Sequence, residues 1–278
     1  MAYWQWGEAN SDHVIICAHG LSRQGRDFDV LAQALCDAAP GELRVVCPDV
    51  VGRGKSDWLK DPMGYQIPQY AADMLALINQ LQPKTLDWVG TSMGGLIGMV
   101  VSGQPDLPLP VPVRKLILND VGPAIEWLAI QRIGQYLGKG VQFQSIQQAA
   151  DAMWAVSTSF GPHTKEQWLA LSQAMVKPNG DGFMLHYDPA IAIPFANATK
   201  ESTKQGEAML WALYDNIKAT TLITRGAQSD LLSVETAQAM TQRGPNAQLV
   251  EFQGVGHAPT FIAANQVKVA VDFLIGKS

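Results

Sequence analysis

Apolar residues recur along this chain in two rhythms. Short continuous runs rich in Val, Ile and Leu cover 13–18, 44–47, 86–89, 115–119, 220–224 and 248–252. Runs of this length predict strands buried on both faces. Between them the spacing changes. Phe28, Leu31, Ala32, Leu35 and Cys36 recur at helical intervals, as do Ile67, Tyr70, Ala71, Met74, Leu75, Ile78 and Leu81. Residues 93–101 are apolar on every side, which predicts a helix buried in the middle of a fold; 234–241 and 261–274 predict two more helices. Strands alternating with helices predict a mostly parallel sheet covered on both faces, joined by right-handed crossovers. Residues 3–6 predict a lone edge strand.

The rhythm breaks between Pro123 and Asn216. That stretch is rich in Ala, Gln and Trp and has helical periods without convincing strands. It predicts a helical insertion, 123–216, between two parts of one core, 1–122 and 217–278. Its tryptophans, Trp127, Trp154, Trp168 and Trp211, are expected either to wall a pocket or to hold the insertion to the core.

Composition narrows the function. The chain has 278 residues, 47% hydrophobic and 16% charged, so a sizeable core is expected and disorder excluded. A net charge of −5 argues against binding nucleic acid or an anionic membrane. No apolar run reaches spanning length, and residues 1–6 lack a basic segment followed by an apolar one. The expectation is a soluble cytoplasmic protein with no membrane insertion. Three cysteines, Cys17, Cys36 and Cys47, argue against a disulfide framework or a four-cysteine zinc site. Histidines lack metal-ligand spacing, so neither metal nor cofactor is expected.

The sharpest chemical signal is Gly90-Thr91-Ser92-Met93-Gly94-Gly95, between a predicted strand and a predicted helix. In the pattern G-x-S-x-G the serine occupies a tight, strained turn that lifts Oγ into the cleft above the strand ends, and small neighbours relieve the crowding. A serine nucleophile needs a base, because its hydroxyl is scarcely ionised at neutral pH. His257, in Gly254-Val255-Gly256-His257 after the last strand, is the natural base; His13 is expected at the surface, and His163 and His186 lie in the insertion. A carboxylate must orient that base. Asp230 and Asp120 each follow a strand. Both satisfy the order serine, acid, histidine; the loop of Asp230 directly precedes the unit carrying His257, which favours Asp230 and leaves Asp120 as a turn residue. The oxyanion needs two donors: the N–H of Met93, after the nucleophile, and an N–H from the loop after 14–18, assigned to Leu21 and shaped by His19 and Gly20. Gly52-Arg53-Gly54-Lys55-Ser56 contains a GKS triplet, but position 49 is Asp where a phosphate loop needs glycine. It is expected to be a turn.

Taken in order, His19-Gly20, Asp49 with 52–56, 90–95, 226–230 and 254–257 resemble the α/β-hydrolase fold. The stretch 19–29 is similar to a group of bacterial carboxylesterases with a helical lid. The resemblance implies a helical cap inserted after the sixth core strand. It also implies a serine carboxylesterase with a small-molecule ester as its partner. A serine in the turn argues against the aspartate-dependent dehalogenases and epoxide hydrolases of this fold. Lactonases, thioesterases and C–C bond hydrolases use the same triad, and a low-turnover small-molecule receptor is a reading of another class. Apolar, uncharged ester groups are the expected preference.

Overall fold

A computed structural model of the protein describes residues 1–276. Its strands are β1 (Tyr3–Gly7), β2 (His13–Ala18), β3 (Arg44–Pro48), β4 (Thr85–Thr91), β5 (Val113–Asn119), β6 (Gln142–Phe143), β7 (Val176–Asn179), β8 (Gly182–Leu185), β9 (Thr220–Gly226) and β10 (Gln248–Phe252). Seven of them form one sheet in the order β1-β3-β2-β4-β5-β9-β10. Only β1 runs antiparallel, at the edge beside β3. The helices are α1 (Asp29–Ala38), α2 (Ile67–Leu81), α3 (Met93–Gly103), α4 (Trp127–Gly134), α5 (Ile146–Ser157), α6 (Lys165–Gln173), α7 (Ala192–Ala196), α8 (Lys200–Asn216), α9 (Val234–Met240) and α10 (Ala264–Ile275).

The two-residue period of the strands divides the core. Val14, Ile16 and Ala18 of β2, with Leu86 and Trp88 of β4 and Leu116 and Leu118 of β5, face α2, α3, α8 and α9. The alternating residues, Ile15, Cys17, Val89 and Ile117, face α1 and α10. Both faces are therefore dry, which is why the strands read as unbroken apolar runs. α3 lies close on the sheet because its glycines remove side chains from the contact. A Cβ on Gly98 would stand 2.5 Å from Trp88 Nε1, and that indole instead donates to the Gly94 carbonyl at 3.0 Å. α10 begins at Ala264 rather than at 261. Phe261 has φ +54°, and its N–H donates to the Gln266 side chain, which holds those residues out of the helix.

The insertion follows β5, the fifth strand of this chain and not a sixth, because one strand alone precedes β2. Nor is it wholly helical. β6, β8 and β7 form a small antiparallel sheet. Its strands are only two to four residues long and half-exposed, too short to leave a period in the sequence. With α5 and α6 it encloses a separate apolar cluster that includes Phe143, Met153, Trp168 and Leu171. α8 returns the chain to the core across α3, where a Cβ on Gly103 would meet the Leu213 carbonyl at 2.1 Å.

Opposite the strand carboxyl ends lies a buried charge. The Asp87 side chain on β4 is fully buried. It accepts from Arg114 Nε at 3.0 Å and Nη2 at 2.5 Å, from the Lys115 N–H at 3.1 Å and from His13 Nε2 at 2.7 Å. His13 is thus a buried carboxylate's partner rather than an idle surface residue. Burial pushes the Asp87 carboxyl up, but the bonds from His13 and Arg114 outweigh it and hold it below its ordinary range. A depressed carboxylate stabilises the fold above the unfolded value, near pH 4, and that contribution fades as pH falls through the lower folded value. Arg114→Ala should cost about 2 kcal/mol in urea unfolding at pH 7, less than a wholly buried pair because the guanidinium is half in solvent. That difference should shrink as pH falls below about 4 and the Asp87 carboxylate takes up its proton.

Candidate active site

Ser92 stands between the end of β4 and the start of α3 with φ +53° and ψ −116°. That conformation is strained for a residue with a Cβ and is held by crowding on both sides. A Cβ on Gly90 would lie 2.3 Å from the Gly94 carbonyl oxygen, and one on Gly94 would lie 1.9 Å from the Ala18 carbonyl oxygen. Glycine two residues before and two after the serine is therefore a steric requirement here.

His257 Nε2 lies 3.0 Å from Ser92 Oγ, and its Nδ1 lies 2.7 Å from Asp120 Oδ2. The carboxylate behind the imidazole is Asp120 and not Asp230, which corrects the expectation drawn from the closeness of the Asp230 loop to the histidine unit. The register explains it. Thr91 pairs with Asn119 across β4 and β5, so the next residue on each strand, Ser92 and Asp120, leaves the sheet side by side. Asp120 turns at once with φ +56°, a conformation aspartate tolerates. Asp230 follows the end of β9 by four residues, enough to turn outward. Its half-exposed carboxylate meets Arg132 of α4, with Nε at 2.6 Å and Nη2 at 2.9 Å.

The neighbour of Asp230 faces the site instead. Ser229 Oγ donates to Asp120 Oδ2 at 2.6 Å, and the Gly226 N–H donates to Oδ1 at 2.8 Å. With His257, they satisfy a carboxylate that is fully buried. The fully buried Asn119 ties the loops together. Its Nδ2 donates to Thr91 Oγ1 and to the Pro259 carbonyl, and its Oδ1 accepts from Thr224 Oγ1. The insertion contributes as well. Ser159 Oγ donates to the His257 carbonyl at 2.7 Å, and the Gly256 N–H donates to the Ser159 carbonyl at 2.6 Å. His163 Nε2 lies 2.9 Å from Thr260 Oγ1. Nothing in the sequence distinguished Asn119, Ser159 or Ser229 from other polar residues.

Leu21 and Met93 flank Ser92, and among the described residues neither N–H has an acceptor within the protein. His19 sets the direction of the Leu21 N–H. The Val50 N–H donates to His19 Nε2 at 2.9 Å, so the proton sits on Nδ1, which donates to the Gly20 carbonyl at 2.7 Å. A trans peptide is planar, so holding the Gly20 carbonyl points the Leu21 N–H the opposite way. Burial drives the His19 imidazole down to about pKa 3 although the Gly20 carbonyl pulls it up, so it stays neutral at ordinary pH.

Ser92 and His257 open into a cleft of about 270 Å³ between core and insertion. Met153, Val156, Phe160, Leu171, Met175 and Leu185 supply apolar wall, and Arg132 and Lys139 stand on the α4 side. None of its lining residues is a tryptophan. Trp168 packs edge-on against Trp154 at 4.9 Å and donates to the Ala150 carbonyl, and Trp211 stacks on Arg243. These rings hold the insertion together and fasten it to the core. Arg23 lines the cleft while bound to Asp27. Among the described residues there is no group of three or more His, Cys, Asp or Glu able to hold a metal ion.

The chain has close relatives. A 3-hydroxybutyrate-oligomer hydrolase of Cupriavidus necator is 49% identical over 280 residues, covering 99% of this chain and 93% of that protein. A crystal structure of a putative hydrolase from Rickettsia typhi matches with a TM-score of 0.87 at 30% identity, covering 99% of this chain and 91% of that one. An alpha/beta hydrolase from Novosphingobium aromaticivorans matches with a TM-score of 0.84 at 33% identity, covering 99% and 93%. The sequence pattern of the alpha/beta hydrolase family spans residues 15–269. The chain belongs to the alpha/beta hydrolase family and is a hydrolytic enzyme.

Proposed function

We propose that this hydrolase cleaves carboxylic esters through an acyl-enzyme on Ser92, with His257 as base and Asp120 as its orienting acid. The reading is carried by the unbroken hydrogen-bond chain from Ser92 Oγ through His257 to Asp120. In this reading Ser92 Oγ attacks the ester carbonyl while His257 Nε2 takes its proton. The oxyanion accepts from the Leu21 and Met93 N–H groups. Asp120 stabilises the imidazolium and keeps Nδ1 protonated. His257 then protonates the leaving alcohol. Water repeats the sequence at the acyl carbonyl, His257 taking its proton and returning it to Ser92 as the acid departs. Asp230 serves instead as a link from the core to α4.

For substrate we propose short aliphatic esters, among them linear oligoesters of 3-hydroxybutyrate. The kinship with a hydrolase of that name supports this, as does a cleft walled by Met, Leu, Val and Phe. Such oligoesters end in one carboxylate, which Lys139 at the cleft can face. That departs from a preference for wholly uncharged groups. A cytoplasmic setting accords with three free thiols. The 123–216 insertion acts as the cap in this reading: it supplies the apolar wall and, through Ser159, steadies the base.

A fluorophosphonate should label the peptide holding Ser92, and Ser92→Ala should abolish both labelling and turnover. Asp120→Asn should lower kcat by about 10⁴-fold with the fold intact. Asp230→Asn should stay within about tenfold of wild type, and the reverse pattern would return the acid to Asp230.

Across a series of p-nitrophenyl esters, kcat/KM should rise with acyl length by up to about 0.8 kcal/mol per methylene, then level off when the cleft is full. Purified enzyme should also degrade the trimer of 3-hydroxybutyrate to smaller acids, followed by chromatography. Activity on the p-nitrophenyl esters with none on the trimer would keep the mechanism and reject the substrate.

The buried His19 gives a pH dependence of stability. It is neutral in the fold down to about pH 3, whereas in the unfolded chain it takes up a proton below about pH 6.5. Protons therefore favour the unfolded chain as pH falls from 6.5 toward 3. Wild type should lose about 2 kcal/mol between pH 7 and pH 5 on this account. His19→Gln should flatten that part of the profile in denaturant titrations.

A further inference from the structure

The turn Gly52-Arg53-Gly54 has no place in the ester-cleaving chemistry described so far, yet it buries a whole arginine. Arg53 is 0% exposed, and among the described residues its hydrogen bonds go to no carboxylate, although the charge of the buried Asp188 favours it. Leaving such a charge unpaired in a core is costly, so its bonds matter. The turn aims it inward. Gly52 and Gly54 take φ +85° and +53°, and a Cβ would lie 2.6 Å from the Tyr65 ring at Gly52 and 2.3 Å from Asp49 Oδ2 at Gly54. Asp49 in turn accepts the Gly25 and Lys55 N–H groups at 2.8 and 2.9 Å. The guanidinium lies 4.8 Å from the centre of the Tyr70 ring.

Its N–H groups go to three places. Nη1 donates to the Val51 carbonyl of its own turn at 2.7 Å. Nε donates to the Leu21 carbonyl at 2.8 Å, and Nη2 approaches Met93 Sδ at 3.5 Å. The latter two partners are the two residues whose amides were assigned to the oxyanion. They come from different elements, the loop after β2 and the first turn of α3. His19 holds the peptide on the amino side of Leu21, and Arg53 holds the peptide on its carboxyl side.

We infer that Arg53 is a positioning residue for the oxyanion hole, a buried clamp that holds Leu21 and Met93 in mutual register so that both amides meet the tetrahedral intermediate. The inference rests on reading those two amides as the oxyanion donors. It explains why a cation sits in a dry core whose nearby carboxylate, Asp188, bonds to Tyr65 rather than to the guanidinium: the guanidinium offers several rigidly directed donors where two separate elements must be joined. A clamp of this kind acts on the transition state. The ground-state carbonyl has not yet moved into the hole, so loss of the clamp affects kcat more than KM.

The test compares an ester with its matching thionoester in wild type, Arg53→Lys and Arg53→Met. Sulfur is a poor hydrogen-bond acceptor, so the ester-to-thionoester ratio of kcat reports the two amides directly. Wild type should prefer the ester by about 10²-fold or more. Arg53→Lys should lower ester kcat by about 10- to 100-fold with KM within about twofold, and the ratio should shrink by a similar factor. Arg53→Met should go further if it folds. Should it not fold, the lysine variant, which keeps the charge and most of the volume, decides alone, with folding checked by circular dichroism. Unchanged kcat, a loss expressed in KM, or equal losses on both substrates would overturn the clamp. A wild type that does not distinguish the two substrates would overturn the donor assignment, and with it the clamp, while leaving Ser92 labelling and ester turnover intact.

Discussion

Between Ala18 of β2, Gly90 of β4 and Gly94 of α3 there is no room for a side chain. A Cβ on Gly94 would sit 1.9 Å from the Ala18 carbonyl oxygen. This close approach forces the sharp turn at Ser92 and lifts its Oγ clear of the sheet. It also brings the first turn of α3 beside the loop after β2, where a Cβ on Gly20 would lie 3.7 Å from the Ser92 side chain. The rest of the site is built around that contact. Trp88 beneath α3, fully buried and bonded to the Gly94 carbonyl, sets the helix at the required height.

Around this turn the polar groups are buried but matched. Asp120 has no exposed side-chain surface and accepts three hydrogen bonds, from His257, Ser229 and Gly226. Asn119 uses both ends of its amide to connect β4, β5, β9 and the loop after His257. A fully satisfied network of this kind rigidifies and specifies one arrangement, whereas a partly satisfied one would be costly in a dry interior. Preorganised donors and a fixed imidazole are what acyl transfer demands, because little reorganisation is then left to the moment of reaction. The same preference for buried, paired charge appears at the other end of β4, where Asp87 is shared by Arg114, His13 and the Lys115 amide.

The insertion is more than a cover. Its own apolar cluster, braced by the Trp154–Trp168 contact, lets it keep a shape of its own. Ser159 and His163 join it to the segment 256–260, so the shape of the cleft and the position of the histidine are linked. Deleting the insertion would therefore disturb His257 along with the pocket walls. At the opposite side of the cleft, Asp230 binds Arg132, a second tie from core to insertion, made by the residue that the loop before the histidine unit had favoured as the acid.

Much was legible along the chain because it follows from local rules. Unbroken apolar runs separated by helical stripes mark a parallel sheet covered on both faces, since each pattern has one economical way to bury itself. The glycines around Ser92 announced a crowded turn, and the position of His257 after the last strand brought it to the same edge. The carboxylate beside His257 was different. Asp120 and Asp230 both follow strands, and no local property separates them. Only the pairing of Thr91 with Asn119 across β4 and β5 places Asp120 beside Ser92, and only the length of the loop after β9 lets Asp230 turn away. The small sheet of the insertion and the role of its tryptophans were hidden for a similar reason, since strands of two to four residues and aromatic rings acquire partners only in three dimensions. Arg53 looked like part of an ordinary glycine-rich turn. Its burial between Leu21 and Met93 depends on β2, β3 and β4 being neighbours, a fact that no stretch of sequence contains.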